Sequence, residues 1–164
     1  MKKILLAAAL AAASTLASAQ GYAGALIGMS RFDIDCMGYD CDKSDTAFKI
    51  YGGYEVAKDI AIEVGYTDFG KLKVDGVGSV EATALSVVGA FRYAFSPEVT
   101  GVARLGLGFV SADADFAESE DEVNLYAGLG LEYAVNKDFK IVGAIDMADN
   151  GDAFLFGVGA QVGF

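Results

Sequence analysis

Counting in twos along the chain separates two kinds of position, and the last stretch shows it most clearly. Phe154, Phe156, Val158, Ala160, Val162 and Phe164 fall in one register; Leu155, Gly157, Gly159, Gln161 and Gly163 fall in the other. Successive strand side chains point to opposite faces, so this pattern predicts a strand with one apolar face and one small or polar face, closing on an aromatic.

The same period recurs upstream. Gly21 to Arg31 sets Ala23, Ala25, Ile27 and Met29 against Gly24, Leu26, Gly28 and Ser30. Thr46 to Val56 sets Phe48, Ile50, Gly52, Tyr54 and Val56 against Lys49, Tyr51, Gly53 and Glu55. Ile60 to Asp68, Val80 to Phe95, Val99 to Ser111, Val123 to Val135 and Asp138 to Met147 repeat the alternation, which gives eight strands with the closing one. Short connections at Ala57-Lys58-Asp59, Ser96-Pro97-Glu98 and Asn136-Lys137 alternate with longer ones at Asp33–Asp45, Phe69–Ser79 and Asp113–Glu122, and Asp149-Asn150-Gly151-Asp152 is a turn of the positive-φ kind. No segment carries a helical period.

Alternation alone fits a soluble barrel with its apolar face turned inward as well as a membrane barrel with that face turned out. The other face decides. Besides Lys49, Glu55, Glu63, Arg92, Arg104, Glu132, Lys140 and Asp146 it holds mostly Gly, Ala, Ser and Val, too little charge for a solvated surface. Turned inward, the glycines suit a narrow bore and four cations meet four anions, in a barrel just wide enough to be filled by side chains. The expected fold is all-β: an eight-stranded antiparallel up-and-down transmembrane β-barrel. Keeping like faces together across the first tight hairpin sets Glu63 opposite Gly53, so its cation must reach across the bore; Arg92 and Arg104 are the candidates, with Glu132 in the same network. The pairs either plug the barrel or line a gated small-ion path. Tyr54, Tyr93, Tyr133 and Phe164 fall on the lipid face beside short turns or the C-terminus, as an aromatic girdle requires. Short turns then mark the periplasmic side, with both termini there and the acidic loops facing out.

Composition adds where the chain goes. Met1-Lys2-Lys3, the apolar run Ile4 to Ala13 and Ala17-Ser18-Ala19 before Gln20 read as a cleaved secretory signal peptide over residues 1–19, leaving one barrel domain over residues 20–164. Cleavage removes Lys2 and Lys3 from the 12 basic side chains, leaving 10 against 23 acidic ones and a net charge of −13. Such a chain repels nucleic acid. Yet 54% of the residues are hydrophobic and the mean hydropathy is +0.38, so charge and apolar surface are segregated.

Cys36 and Cys41, in a polar stretch of an exported chain, are expected as a disulfide that pins a loop tip. A metal site there lacks partners, since the chain has no His, and the same absence excludes His-dependent hydrolase triads. The Gly-x-Gly runs at Gly106, Gly128 and Gly157 lie inside strands with no helix after them, so they are not dinucleotide fingerprints. Asp113, Asp115 and Glu118, with Glu120, Asp121 and Glu122, offer carboxylate oxygens to Ca²⁺, or form an ordinary solvated acidic loop. No cofactor is called for.

Phe48-Lys49-Ile50-Tyr51-Gly52-Gly53-Tyr54, Ile62-Glu63-Val64-Gly65-Tyr66-Thr67-Asp68-Phe69-Gly70 and Leu131-Glu132-Tyr133-Ala134, with the terminal phenylalanine, resemble the transmembrane domain of the OmpA family and its small stand-alone relatives. The resemblance implies an outer-membrane barrel with a salt-bridged interior and a terminal strand, Phe156, Val158, Ala160, Val162 and Phe164, read by the barrel-assembly machinery. Glu63, Arg104 and Glu132 match interior charged positions of that family; Ala90 and Ala144 stand where its other interior basic residues are expected. The periplasmic peptidoglycan-binding domain of full-length members is absent, so no cell-wall anchoring is expected.

The expectation is a non-enzymatic integral protein of the outer membrane with a structural, envelope-integrity or surface-contact role. Its partners would be outer-membrane lipid and lipopolysaccharide, the assembly machinery during insertion, and an extracellular partner on loops 33–45 and 113–122. The alternative is a narrow channel for ions or small solutes.

Overall fold

A computed structural model describes residues 21–32, 41–42, 44–74, 78–114, 117–148 and 153–164. The signal peptide, Cys36, Asp115 and the turn at 149–152 lie outside them. The elements are β1 (Gly21–Phe32), β2 (Cys41–Asp42), β3 (Ser44–Ala57), β4 (Ile60–Val74), β5 (Gly78–Ala94), β6 (Val99–Ala114), β7 (Ala117–Ala134), β8 (Phe139–Ala148) and β9 (Ala153–Gly163). Eight of them are long; β2 is a two-residue strand laid against Val74 and Lys73 of β4.

Every long strand is antiparallel to its neighbours, and the sheet closes on itself because β1 pairs with β3 on one side and with β9 on the other. Eleven register pairs, Tyr22↔Gly163 to Phe32↔Ala153, form that seam. At its short-turn end the Gly21 N–H donates to the Phe164 carbonyl and the Phe164 N–H donates to the Gly21 carbonyl. Closure at Gly28 demands glycine: a Cβ there would collide with the Phe156 carbonyl and the Gly157 Cα of the partner strand.

The side-chain period determines which face is which. Ile27, Ile50, Ile62, Leu85, Leu105, Leu129, Ile145 and Val158 all stand outward, and Leu129 remains 67% exposed. Thirty large apolar side chains are exposed in this way among the described residues, a continuous apolar wall that no soluble monomer presents to water. Tyr54, Tyr93, Tyr133 and Phe164 stand on the same wall near the short-turn end, and Phe95 packs edge-on against Tyr93 at 5.3 Å. Leu26, which breaks the polar register of the first strand in sequence, is buried inside the barrel, as are Leu155, Val88, Val102, Val110 and Val142.

The short turns owe their shape to local chemistry. Asp59 takes φ +63°, a conformation Asp tolerates, in the link from β3 to β4. Ser96 Oγ accepts the Glu98 and Val99 N–H groups, and Asn136 Oδ1 accepts those of Asp138 and Phe139. The opposite end differs from expectation. Phe69–Ser79 and Asp113–Glu122, expected as loops, are mostly ladder: Lys71↔Glu81, Leu72↔Val80, Lys73↔Ser79 and Val74↔Gly78 continue β4 and β5, and Ala112↔Glu120 and Ala114↔Ala117 continue β6 and β7. Pairing below carries the strands upward despite their turn-prone composition. A bulge between Asp68 and Lys71 absorbs the one-residue shift at Gly70, whose φ is +78° and whose N–H donates to Asp68 Oδ1. This is the tall end of the barrel; among the described residues β7 pairs with β8 from Ala127 to Ala134.

Gly28→Ala should therefore lower barrel stability by about 1–3 kcal/mol through backbone collision. Gly143→Ala, where a Cβ meets nothing within 4 Å, should leave it unchanged or slightly raised, both read as urea midpoints of the folded form in detergent.

Candidate functional site: the interior of the barrel

The inward register brings the charged residues together. Glu63 is the hub: it accepts Arg104 Nε at 2.6 Å on Oε2, and Tyr22 Oη at 2.7 Å and Arg92 Nη2 at 3.4 Å on Oε1. Arg92 is shared, with its Nε also 3.5 Å from Glu132 Oε1. The other oxygen of Glu132 accepts Lys140 Nζ at 2.6 Å. A separate pair, Lys49 Nζ to Asp146 Oδ2 at 2.8 Å, lies further toward the tall end. Glu63 sits opposite Gly53 in the β3–β4 ladder, and its partners come from other strands: Arg92 from the adjoining β5, Arg104 from β6 and Tyr22 from β1. Seven of the eight charged positions read from the sequence thus join in ion pairs. Glu55 has no ion pair among the described residues: it is half-buried at the short-turn mouth, where with Lys137, Asp138, Lys140 and Gln161 it lines a cavity of about 200 Å³.

Three tyrosines, Tyr22, Tyr51 and Tyr126, organise this network; of these the alternation singles out only Tyr51, as a polar-face residue. The Arg92 guanidinium lies 4.5 Å from the Tyr22 ring centroid, Arg104 5.5 Å from Tyr51, and Lys49 between Tyr51 at 5.5 Å and Tyr126 at 5.1 Å. Tyr22 and Tyr51 meet edge to face, and Tyr51 Oη donates to Gln161. Cations in a dry bore gain from facing π-clouds as well as carboxylates. A sequence signal for this exists. Tyr22 is the register partner of Gly53 and Tyr51 of Gly24, and each ring occupies the space beside its glycine, where any Cβ would strike it. Asp146 likewise lies over its partner Gly128.

Toward the tall end the bore turns apolar. Phe32, Ala47, Phe69, Ala84, Val110, Tyr126, Ala148, Ala153 and Leu155 form one buried cluster, with Phe32 and Phe69 edge to face at 6.5 Å. Phe69, expected in a loop, is fully buried there. Lys49 and Tyr126 mark the boundary between the ionic and apolar layers.

Several polar atoms of the ionic layer, Arg92 Nη1, Arg104 Nη1 and Asp146 Oδ1 among them, are buried with no hydrogen-bond partner among the described residues. The layer is held by few, shared contacts. The side chains of Asp113, Glu118 and Cys41 lie outside the described ones, so neither the calcium candidate nor the disulfide is located. Among the described residues no group of three or more His, Cys, Asp or Glu is placed to hold a metal ion.

A closed, inside-out eight-stranded barrel with an ionic interior defines a class of outer-membrane proteins. Residues 17–143 match the family model described as the OmpA-like transmembrane domain, and the chain belongs to that family. It is an outer-membrane barrel protein. Among solved structures it is similar to Ail, the attachment invasion locus protein of Yersinia pestis, with 21% identity, a TM-score of 0.63 and coverage of 89% of this chain and 99% of that one. It is also similar to the outer membrane protein OprG of Pseudomonas aeruginosa (14%, TM-score 0.70, 89% and 97%) and to Neisserial surface protein A (17%, 0.63, 88% and 97%). Among curated proteins none matches the chain.

Removing the hub should be costly, because two buried guanidinium groups lose their carboxylate. Glu63→Gln is expected to destabilise the barrel by about 3–5 kcal/mol. Glu63→Gln combined with Arg104→Met should cost less than the two single changes added, in a double-mutant cycle of urea unfolding.

Proposed function

We propose that the protein is a non-conducting, non-enzymatic structural barrel whose tall end faces outward as a contact surface and whose termini are periplasmic. The observation that carries this reading is the apolar layer from Phe69 to Leu155, stacked on the ionic one. A water-filled path would have to cross a dry constriction that disfavours ions however the charges below it are arranged. The interior ion pairs then serve stability and assembly rather than transport. Orientation follows from the turns: barrels of this kind keep their short turns periplasmic and carry long connections outside.

The contact role is supported by the company the chain keeps. Ail bears attachment and invasion in its name and has been crystallised with the heparin analogue sucrose octasulfate. A polyanion does not suit this chain, whose outward segments 33–45 and 113–122 hold five and six acids respectively. The partner chemistry differs even where the role is shared. Lipopolysaccharide around the wall, divalent cations at Asp113, Asp115 and Glu118, recognition of the closing strand by the assembly machinery and a Cys36–Cys41 disulfide are parts of the same proposal.

The competing channel reading draws on the charged lower bore and its polar mouth at Glu55. Planar-bilayer recordings separate the two: the wild type and Glu63→Gln should both be silent. Phe69→Ala with Leu155→Ala, which thins the apolar layer, should produce openings. Steady conductance of the wild type, or openings in Glu63→Gln alone, would favour a channel gated by charge.

A further inference from the structure

Inside the short-turn mouth lies the cavity of about 200 Å³ whose polar atoms come from Glu55, Lys137, Asp138, Lys140 and Gln161. Strand order β3-β1-β9-β8 sets its layout. Glu55 enters from β3 and Lys140 from β8, and Gln161 of β9 is the register partner of Lys140. Two strand spacings, roughly 10 Å, separate β3 from β9. The carboxylate therefore stands on one side of the cavity and the ammonium with its neighbouring amide on the other. The ground between them is bare, since a Cβ on Gly163 would meet nothing nearer than 3.8 Å.

These groups have bonding capacity to spare. Gln161 is only 2% exposed and accepts Tyr51 Oη on Oε1 at 3.1 Å, yet its amide nitrogen has no hydrogen-bond partner among the described residues. A donor so enclosed is unfavourable unless something meets it. Lys140 Nζ donates to Glu132 Oε2 at 2.6 Å and keeps two further N–H groups. Glu55 is half-buried with no ion pair among the described residues. Lys137 and Asp138, adjacent at the rim, balance each other. Donors on one side and a carboxylate on the other complement a dipolar ligand. A plain cation would leave the Gln161 amide unmet, and a plain anion would leave Glu55.

The cavity is blind, because deeper in Tyr22 Oη donates to Glu63 at 2.7 Å and Arg92 bridges Glu63 and Glu132. It also reaches the lip of the barrel, where the Phe164 ring of the outward register covers Gly21. We infer that this cavity binds a small zwitterion of the phosphoethanolamine kind, with its ammonium on Glu55 and its oxyanion on Lys140, Lys137 and the Gln161 amide. Because the two sides are separated, the ligand's charges stand several bonds apart and not on one carbon. The same chemical group can arrive as a free solute or as the headgroup of a lipid that lies against Phe164 and bends over the lip. The site is at the opposite end from the contact surface proposed above and does not depend on it.

The test follows the side-chain amide signals of Gln161 by NMR, with the full chain in nanodiscs of phosphatidylglycerol, which carries no amine. Added O-phosphoethanolamine should shift them saturably, and ethylamine and methyl phosphate, each supplying half of the zwitterion, should bind at least tenfold more weakly. Glu55→Gln, which breaks no ion pair, should weaken O-phosphoethanolamine at least tenfold. Nanodiscs of phosphatidylethanolamine distinguish the sources: signals already at the shifted position identify the lipid headgroup, and signals at the free position identify the solute. Equal affinity for ethylamine would overturn the inference in favour of a cation held by Glu55 alone. Unchanged affinity in Glu55→Gln would overturn it in favour of an anion held by the lysines. No shift of Gln161 with either the solute or the lipid would overturn it in favour of a mouth filled by water.

Discussion

Hydrocarbon offers no partner to a peptide N–H or C=O, and each such group left bare in a bilayer costs several kcal/mol. A sheet can cross only if it has no edge there, so the β1–β9 seam is the contact on which the rest depends. It explains why glycine recurs where those two backbones approach, and why Gly28 has no room for even a methyl group.

Eight strands set the second feature, an interior of a width that side chains fill. The chain fills it with two unlike layers. In the ionic layer, Glu63, Glu132 and Asp146 take Arg104, Arg92, Lys140 and Lys49, and tyrosine rings separate the cations. Removing one partner from such a group strands a buried charge. In the apolar layer, Phe69, Leu155 and Tyr126 pack as they would in a soluble core. The small residues of the inward face make both layers possible: Gly53 and Gly24 leave the space that Tyr22 and Tyr51 occupy.

Much of this was legible in a period of two. The eight strands, the outward apolar wall, the inward charges and the pairing of Glu63 opposite Gly53 all follow from alternation and from keeping like faces together across a tight turn. What was not legible has a physical reason in each case. Residues 69–74 look like a loop because Gly70, Lys71 and Lys73 interrupt the apolar run, and 117–122 because four of the six are acids, but ladder hydrogen bonds propagate upward from a register established below. The role of Tyr22, Tyr51 and Tyr126 lies in cross-strand partners that a single strand does not reveal. Glu55 counts as one of eight interior charges by parity, yet its position beside the β3–β4 turn leaves it at the wet mouth. The apolar layer escaped notice since Phe69 was assigned to a loop and Leu155 to the polar register.

The central claim is that apolar side chains face acyl chains while ionic ones meet inside. The chain contains no tryptophan, so a single introduced indole is an unambiguous reporter of which side it occupies. In bilayers containing brominated lipid, Leu105→Trp and Leu129→Trp should be strongly quenched, and Tyr51→Trp and Tyr126→Trp should not. Strong quenching at positions 51 and 126 with none at 105 and 129, or a folded protein that stays in water without detergent, would contradict the account.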